Sequence, residues 1–234
     1  MMTLYFSPGA CSVASHMAIE ETGAPYIERR TRIAKGENQT DDYLEINPRG
    51  KVPALSIDGQ ILTENTAILT YLARRFPASK LMPTDPLEEA RCISTMAWFS
   101  NTVHPSFTRY LHPGRFTAEA AAEAGVREAG RKALWANCQE IDSLLAGNHW
   151  IMGKHFSVAD CYALVFYAWG LLAELPMQEL SAYTGLKDRM LERPAVRKVL
   201  ESERSVLVEA GRAVRGESLA PGKAAPRSEQ GERS

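Results

Sequence analysis

The spacing of apolar positions changes part-way along the chain. Thr3 to Phe6 is a short strand-like run, cut off by Ser7-Pro8-Gly9. Val13 and Met17, with Ala14 and Ala18, then recur at helical spacing as far as Gly23, which suits the left-handed position just past a helix. Tyr26 to Thr31 predicts a second strand, and Asp41 to Ile46 a short helix stopped by Asn47-Pro48. Val52 to Ile57 and Gln60 to Thr63 are two short runs joined by Asp58-Gly59, a hairpin signal. From Asn65 the positions of Ile68, Tyr71, Leu72 and Phe76 predict another helix. The resulting order, β-α-β-α-β-β-α, describes an α/β unit over residues 1–78.

Pro77 to Pro86 carries three prolines with Asp and Thr between them and reads as a linker. Residues 87–210 show helical periods only. Leu87, Ala90, Ser94, Ala97 and Asn101 mark one face of a long helix, with His104 inside it just before Pro105, where a kink is expected. Further helices are predicted over Thr117 to Leu145, Ser157 to Glu174, Gln178 to Leu191 and Ala195 to Val208. From Gly216 to Ser234 the chain is rich in Gly, Pro, Ser and charge without apolar period, the pattern of a disordered tail. The expected fold class is therefore an α/β N-terminal domain followed by an all-α helical domain.

Composition narrows the function. Of 234 residues, 45% are hydrophobic and 24% charged, which excludes a mostly disordered chain. Lys and Arg number 27 against 28 Asp and Glu, so no overall charge points to nucleic acid or an anionic membrane. No apolar run is long enough for a membrane span, and the first residues lack the basic head of a signal peptide. Cys11, Cys92, Cys138 and Cys161 are far apart and form no C-x-x-C or zinc pattern, so no metal is expected and a reducing, cytoplasmic setting is.

Few residues stand out chemically. Cys11 falls where the first helix begins, and there the helix dipole and free N–H groups favour a thiolate; a buried, inert thiol fits a lone cysteine equally well. Ser12 beside it is a candidate donor to the same sulfur. Val52-Pro53 precedes the third strand, where either a trans proline or a cis bond exposing the Val52 backbone is consistent with the spacing. Glu64-Asn65 precedes a helix; Asn65 is a good N-cap, and the helix end also suits an anion. Ser157 to Asp160 is a capping box with Phe156 and Cys161 at the staple positions. Cys92, Cys138 and Cys161 lie on apolar helical stripes and read as core.

In combination these segments resemble a cytosolic glutathione transferase. Leu4-Tyr5-Phe6-Ser7-Pro8-Gly9-Ala10-Cys11-Ser12 is similar to the loop that holds the active-site cysteine of the bacterial beta class. Ile46 to Leu55 resembles the family's stretch around its cis-proline, Leu62 to Ile68 its γ-glutamyl segment, and Phe156 to Asp160 its capping box. The resemblance implies a thioredoxin-like N-terminal domain, a helical C-terminal domain and a homodimer, with glutathione as co-substrate. It implies a cis Val52–Pro53 bond, pairing of Val52 with the cysteinyl unit, and Glu64 and Asn65 on the γ-glutamyl group. Lys35 would approach the glycyl carboxylate, Cys11 would face the glutathione sulfur, and His104 would line the site from the helical domain. Pro105 and Ala97 stand where the beta class often carries Lys and Asn.

The expected activity is conjugation of glutathione to small, largely apolar electrophiles. Two other readings remain open at this point: a glutathione-dependent thiol transferase or reductive dehalogenase acting through Cys11, and a non-catalytic binding module of the same fold.

Overall fold

The computed structural model describes residues 1–208, so the tail expected over 216–234 lies outside the described residues. Strands β1 (Met2–Phe6), β2 (Tyr26–Arg30), β3 (Ala54–Ile57) and β4 (Gln60–Thr63) form one sheet in the order β2-β1-β3-β4. β1 runs parallel to β2 and antiparallel to β3, and β3 and β4 close the expected hairpin, with Asp58 and Gly59 both at positive φ. Helices α1 (Ser12–Glu21), α2 (Asp41–Ile46) and α3 (Asn65–Arg75) complete a thioredoxin-like α/β unit. The remaining described residues are helical: α4 (Pro86–Trp98), α5 (His104–Leu111), α6 (Glu123–Leu145), α7 (Val158–Leu172), α8 (Ser181–Glu192) and α9 (Pro194–Ser202).

Helix α1 explains why the two parts make one core. Every residue from Ser12 to Ile19 is buried, so this helix has no solvent face. It packs on β1 and α3 on one side, and α7 and α9 cover it on the other. Helix α7 is buried almost throughout and forms the axis of the helical part.

Three helical expectations need correction. The long helix does not simply kink at Pro105. Residues Phe99–Val103 take a π-turn, and His104 begins α5. Pro105 lacks the N–H that a continuous α-ladder needs, and the widened turn directly precedes it. Helix α6 starts at Glu123, because Ala120–Ala122 forms a separate 3₁₀ turn. Helix α9 stops at Ser202 rather than Val208. Arg204 takes φ 54°, and the Ser205 N–H returns to the Leu200 carbonyl at 2.8 Å, a Schellman-type ending.

Candidate active site

The β1–α1 loop, the segment before β3 and the start of α3 converge. The Val52–Pro53 peptide bond is cis. The three carbonyls leading to it are held differently. Gly50 O accepts from Asn38 Nδ2 at 2.7 Å, and Lys51 O accepts from the Tyr43 hydroxyl and from Asn47 Nδ2, each at 2.7 Å. Among the described residues Val52 O is met only by the Cys11 Sγ–H at 3.5 Å, a weak donor. Among the described residues the Val52 N–H has no hydrogen-bond partner, although Val52 is buried. A rigid arch thus presents one backbone unit whose hydrogen-bonding capacity is unfilled.

Cys11 differs from the expectation of a thiolate. Removal from water pushes its thiol up to about 12, the Glu64 charge adds to this, and Lys51 opposes it only in part. Desolvation outweighs the helix end, so Cys11 is a neutral thiol in the free protein. Burial likewise drives Cys92 and Cys138 up to about 12, and Cys161 well above the usual range. Exposure separates them, since Cys11 alone of the four is not fully buried.

Ser12 is not available to a sulfur. Its Oγ–H donates to Ser7 O and its oxygen accepts the Ser7 N–H, both at 3.1 Å, so its side chain braces the loop from inside. Asn65 is also engaged. It is the first residue of α3 rather than its cap; its amide donates to Cys11 O at 2.8 Å and its Oδ1 accepts from Ser15 at 2.7 Å. The cap position belongs to Glu64, whose backbone sits at φ 70°, ψ 125°, and no side chain caps the helix. The exposed Glu64 carboxylate and the free N–H groups of α3 therefore lie beside Cys11.

Lys35 sits exposed on the turn Ile33–Lys35, and no contact joins it to Cys11, Val52 or Glu64. His104 approaches from the helical side. It packs edge-on against Trp169, ring centroids 4.9 Å apart, and burial, helped by the Lys51 charge, lowers it to about 4. It is neutral near pH 7. The Trp169 indole N–H donates to Gly9 O at 2.9 Å and its ring stacks on Phe107 at 4.3 Å.

Two further groups escaped the sequence reading. Lys51 is exposed, and its charge reaches both Cys11 and His104. Tyr162, buried on α7, lies near Cys11, Asn65 and Ser100. The signals were present: Lys51 adjoins Val52, and Tyr162 shares a face of α7 with Trp169, seven residues on.

Residues 1–74 match the glutathione S-transferase N-terminal domain model. The glutathione S-transferase GstA of Escherichia coli O157:H7 is 32% identical over 205 residues, covering 86% of this chain and 98% of the relative. The chain belongs to the glutathione S-transferase family. A Sulfitobacter glutathione transferase homolog, solved with bound glutathione, superposes on this transferase with a TM-score of 0.82 at 32% identity, covering 86% of this chain and 98% of its own. A bacterial beta-class transferase from Sphingomonas chungbukensis gives 0.77 at 34% identity with the same coverage. The transferase shows no cluster of metal-ligating side chains among the described residues.

Proposed function

We propose that this enzyme binds glutathione along Val52, Glu64 and the first turn of α3, with the glutathione sulfur beside Cys11, and conjugates it to a small, largely apolar electrophile. The observation that carries this reading is the unfilled Val52 backbone unit, the N–H of a buried residue with no partner among the described residues, next to a carbonyl that among them only a thiol meets. A peptide amide is a stronger donor than S–H, so an extended tripeptide displaces the Cys11 contact and satisfies both Val52 groups. Glu64 receives the ligand ammonium, and the α3 N-terminus receives the neighbouring carboxylate. Asn65 acts indirectly, by tying Cys11 and α1 to the start of α3.

Activation follows from the same geometry. A free thiol of this type has a pKa of about 8.5, and lowering it by about two units corresponds to about 2.7 kcal/mol of differential stabilisation. Once the ligand amide takes Val52 O, the neutral Cys11 S–H turns to the ligand sulfur as a donor. Because Cys11 stays protonated, it adds no anion to repel the glutathione thiolate, and the Lys51 ammonium contributes a favourable field. The ligand thiol gives its proton to solvent, its sulfur then attacks the electrophilic carbon, a C–S bond forms and the leaving group departs with the electrons of the bond that breaks. His104, Trp169 and Phe107 offer that partner an apolar wall with one neutral imidazole. The raised Cys11 pKa weighs against disulfide exchange as the main chemistry, since that requires a thiolate nucleophile.

Residues 1–78 act as the glutathione-binding domain and 87–210 as the electrophile-binding domain. Lys35 is kept as a long-range partner of the glycyl carboxylate. The enzyme works in the cytoplasm in detoxification, as a homodimer. Rate measurements with glutathione and a nitroaryl halide, alongside a glutathione mixed disulfide, test the reading. Conjugation exceeding disulfide exchange supports it, and the reverse order rejects it.

A further inference from the structure

A buried carboxylate from the far end of the chain grips the Cys11 loop. Glu203 follows α9, and its side chain has no exposure to solvent. The Schellman-type turn at Arg204 ends the helix there and sends the chain back. One carboxylate oxygen accepts the Gly9 N–H at 3.1 Å, and the other lies 2.6 Å from His16 Nδ1 on α1. The Gly9 carbonyl is held by the Trp169 indole at 2.9 Å. Both backbone polar atoms of the residue two before Cys11 are thus bonded by the helical part, which the β1–α1 loop itself does not require.

Hydrogen-bond counting fixes the proton at this junction. The Tyr26 hydroxyl has one hydrogen and gives it to Glu20 Oε2 at 2.9 Å. Its oxygen therefore accepts from His16 Nε2, 3.0 Å away, so Nε2 carries a hydrogen. On the other side of the ring, Nδ1 and Glu203 Oε1 are hydrogen-bonded at 2.6 Å. Glu203 is then tied to α1 and to Gly9 at once.

We propose that Glu203 is a positioning residue for Cys11: with Trp169, it clamps the Gly9 peptide and so sets where the Cys11 thiol stands relative to Val52. The loop's other hydrogen bonds among the described residues, from Ser12, Asn65, the Ile33 N–H to Ser7 Oγ at 3.3 Å and the Ala10 N–H to Ser7 O at 3.1 Å, leave the Gly9 peptide untouched, and Gly9 at φ 72° leaves the chain free to pivot there. The kinetic part of the test rests on the glutathione reading above, whereas the alkylation part does not.

The test compares four variants of the full chain by Cys11 alkylation rate, by the kcat and KM of conjugation, and by melting temperature. Glu203→Ala frees Gly9. Glu203→Gln keeps both bonds, because an amide oxygen accepts from Gly9 and an amide N–H donates to a neutral Nδ1. Trp169→Phe removes the other half of the clamp and keeps the test alive if Glu203→Ala fails to fold. Arg193→Ala breaks an ion pair to Glu21 (2.7 and 2.8 Å) that also joins the helical part to α1 but does not touch the loop. Glu203→Ala and Trp169→Phe should each alkylate Cys11 several-fold faster and lose about tenfold or more in kcat, in line with the cost of small misplacements of reacting groups. Glu203→Gln should stay near wild type, and Arg193→Ala should melt lower with both Cys11 readouts unchanged. The proposal is overturned if Glu203→Ala leaves alkylation unchanged, if Arg193→Ala matches it, or if Glu203→Gln fails as the alanine variant does. If the wild type does not conjugate glutathione at all, the functional reading falls and the alkylation comparison still decides this one.

Discussion

Glu64 holds its backbone at φ 70°, ψ 125°, a region that costs a residue with a side chain about 1–3 kcal/mol. The carboxylate it carries is exposed beside the free end of α3, so the strain buys position for a ligand contact. Glu64→Gly should therefore be more stable than Glu64→Ala by about 1 kcal/mol, because only glycine relieves the conformation. Both should lose about ten- to a hundredfold in glutathione affinity, the equivalent of a charge-assisted contact of about 1.5–3 kcal/mol. Thermal melts and calorimetric titration check this together; unchanged affinity in either variant contradicts the role. His104 gives a second residue-level test. Its pKa near 4 lies below that of an unfolded histidine, near 6.5. The folded state therefore binds fewer protons between those values, and stability from this group is fully present above about pH 6.5 and lost as pH falls toward 4. The His104 imidazole resonances should stay those of a neutral ring down to about pH 5, and a titration centred near 6.5 would contradict its burial. These residues also mark the limit of the sequence. Glu64 and His104 were legible as candidates, the one from its place before a helix and the other from the family resemblance. The protonation of Cys11 and the inward turn of Ser12 were not, because both follow from what the rest of the fold places around the loop.

At the scale of elements, helix starts and stops were legible where a local device sets them. Asp58-Gly59 fixed the hairpin, Asn47-Pro48 the end of α2, and the capping box the start of α7. Boundaries set by tertiary demands were missed: the π-turn before His104, the late start of α6 and the early end of α9. The capping box also does more than its motif implied. Asp160 is buried and accepts the Ser157 N–H and the Ile151 N–H, each at 2.7 Å, and the Ser157 hydroxyl at 3.1 Å. It thereby ties the preceding loop to α7. Asp160→Ala strands three donors, so it should cost about 2 kcal/mol or more, above the usual price of a single cap. Chemical denaturation measures this. Glutathione affinity per folded molecule should be preserved, and a collapse of affinity without loss of stability would move Asp160 into the binding site.

For the whole molecule, the alternation of strand and helix predicted two parts, but the pattern of α1 shows why they are not independent. A helix buried on every side cannot complete its core within residues 1–78. Val13 lines a small cavity together with Leu164, Val165 and Leu200 from the helical part. Exposing such side chains costs about 1.5–3 kcal/mol each. A fragment of residues 1–78 should therefore show no cooperative unfolding transition, while the full chain unfolds in a single one. A sharp, two-state melt of the fragment would contradict this interdependence, and with it the view that the helical part shapes the loop around Cys11.

The central claim is that glutathione lies against Val52 with its sulfur at Cys11. Competitive alkylation of the full chain at neutral pH, read by mass spectrometry at each cysteine, tests it most directly. Cys11 is the one thiol with access to reagent, so it should be modified first, ahead of Cys92, Cys138 and Cys161. Saturating glutathione should suppress that modification, and Glu64→Ala should restore it at the same glutathione concentration. Labelling of Cys11 that is indifferent to glutathione, or equal labelling of Cys11 and Cys161, would contradict the account.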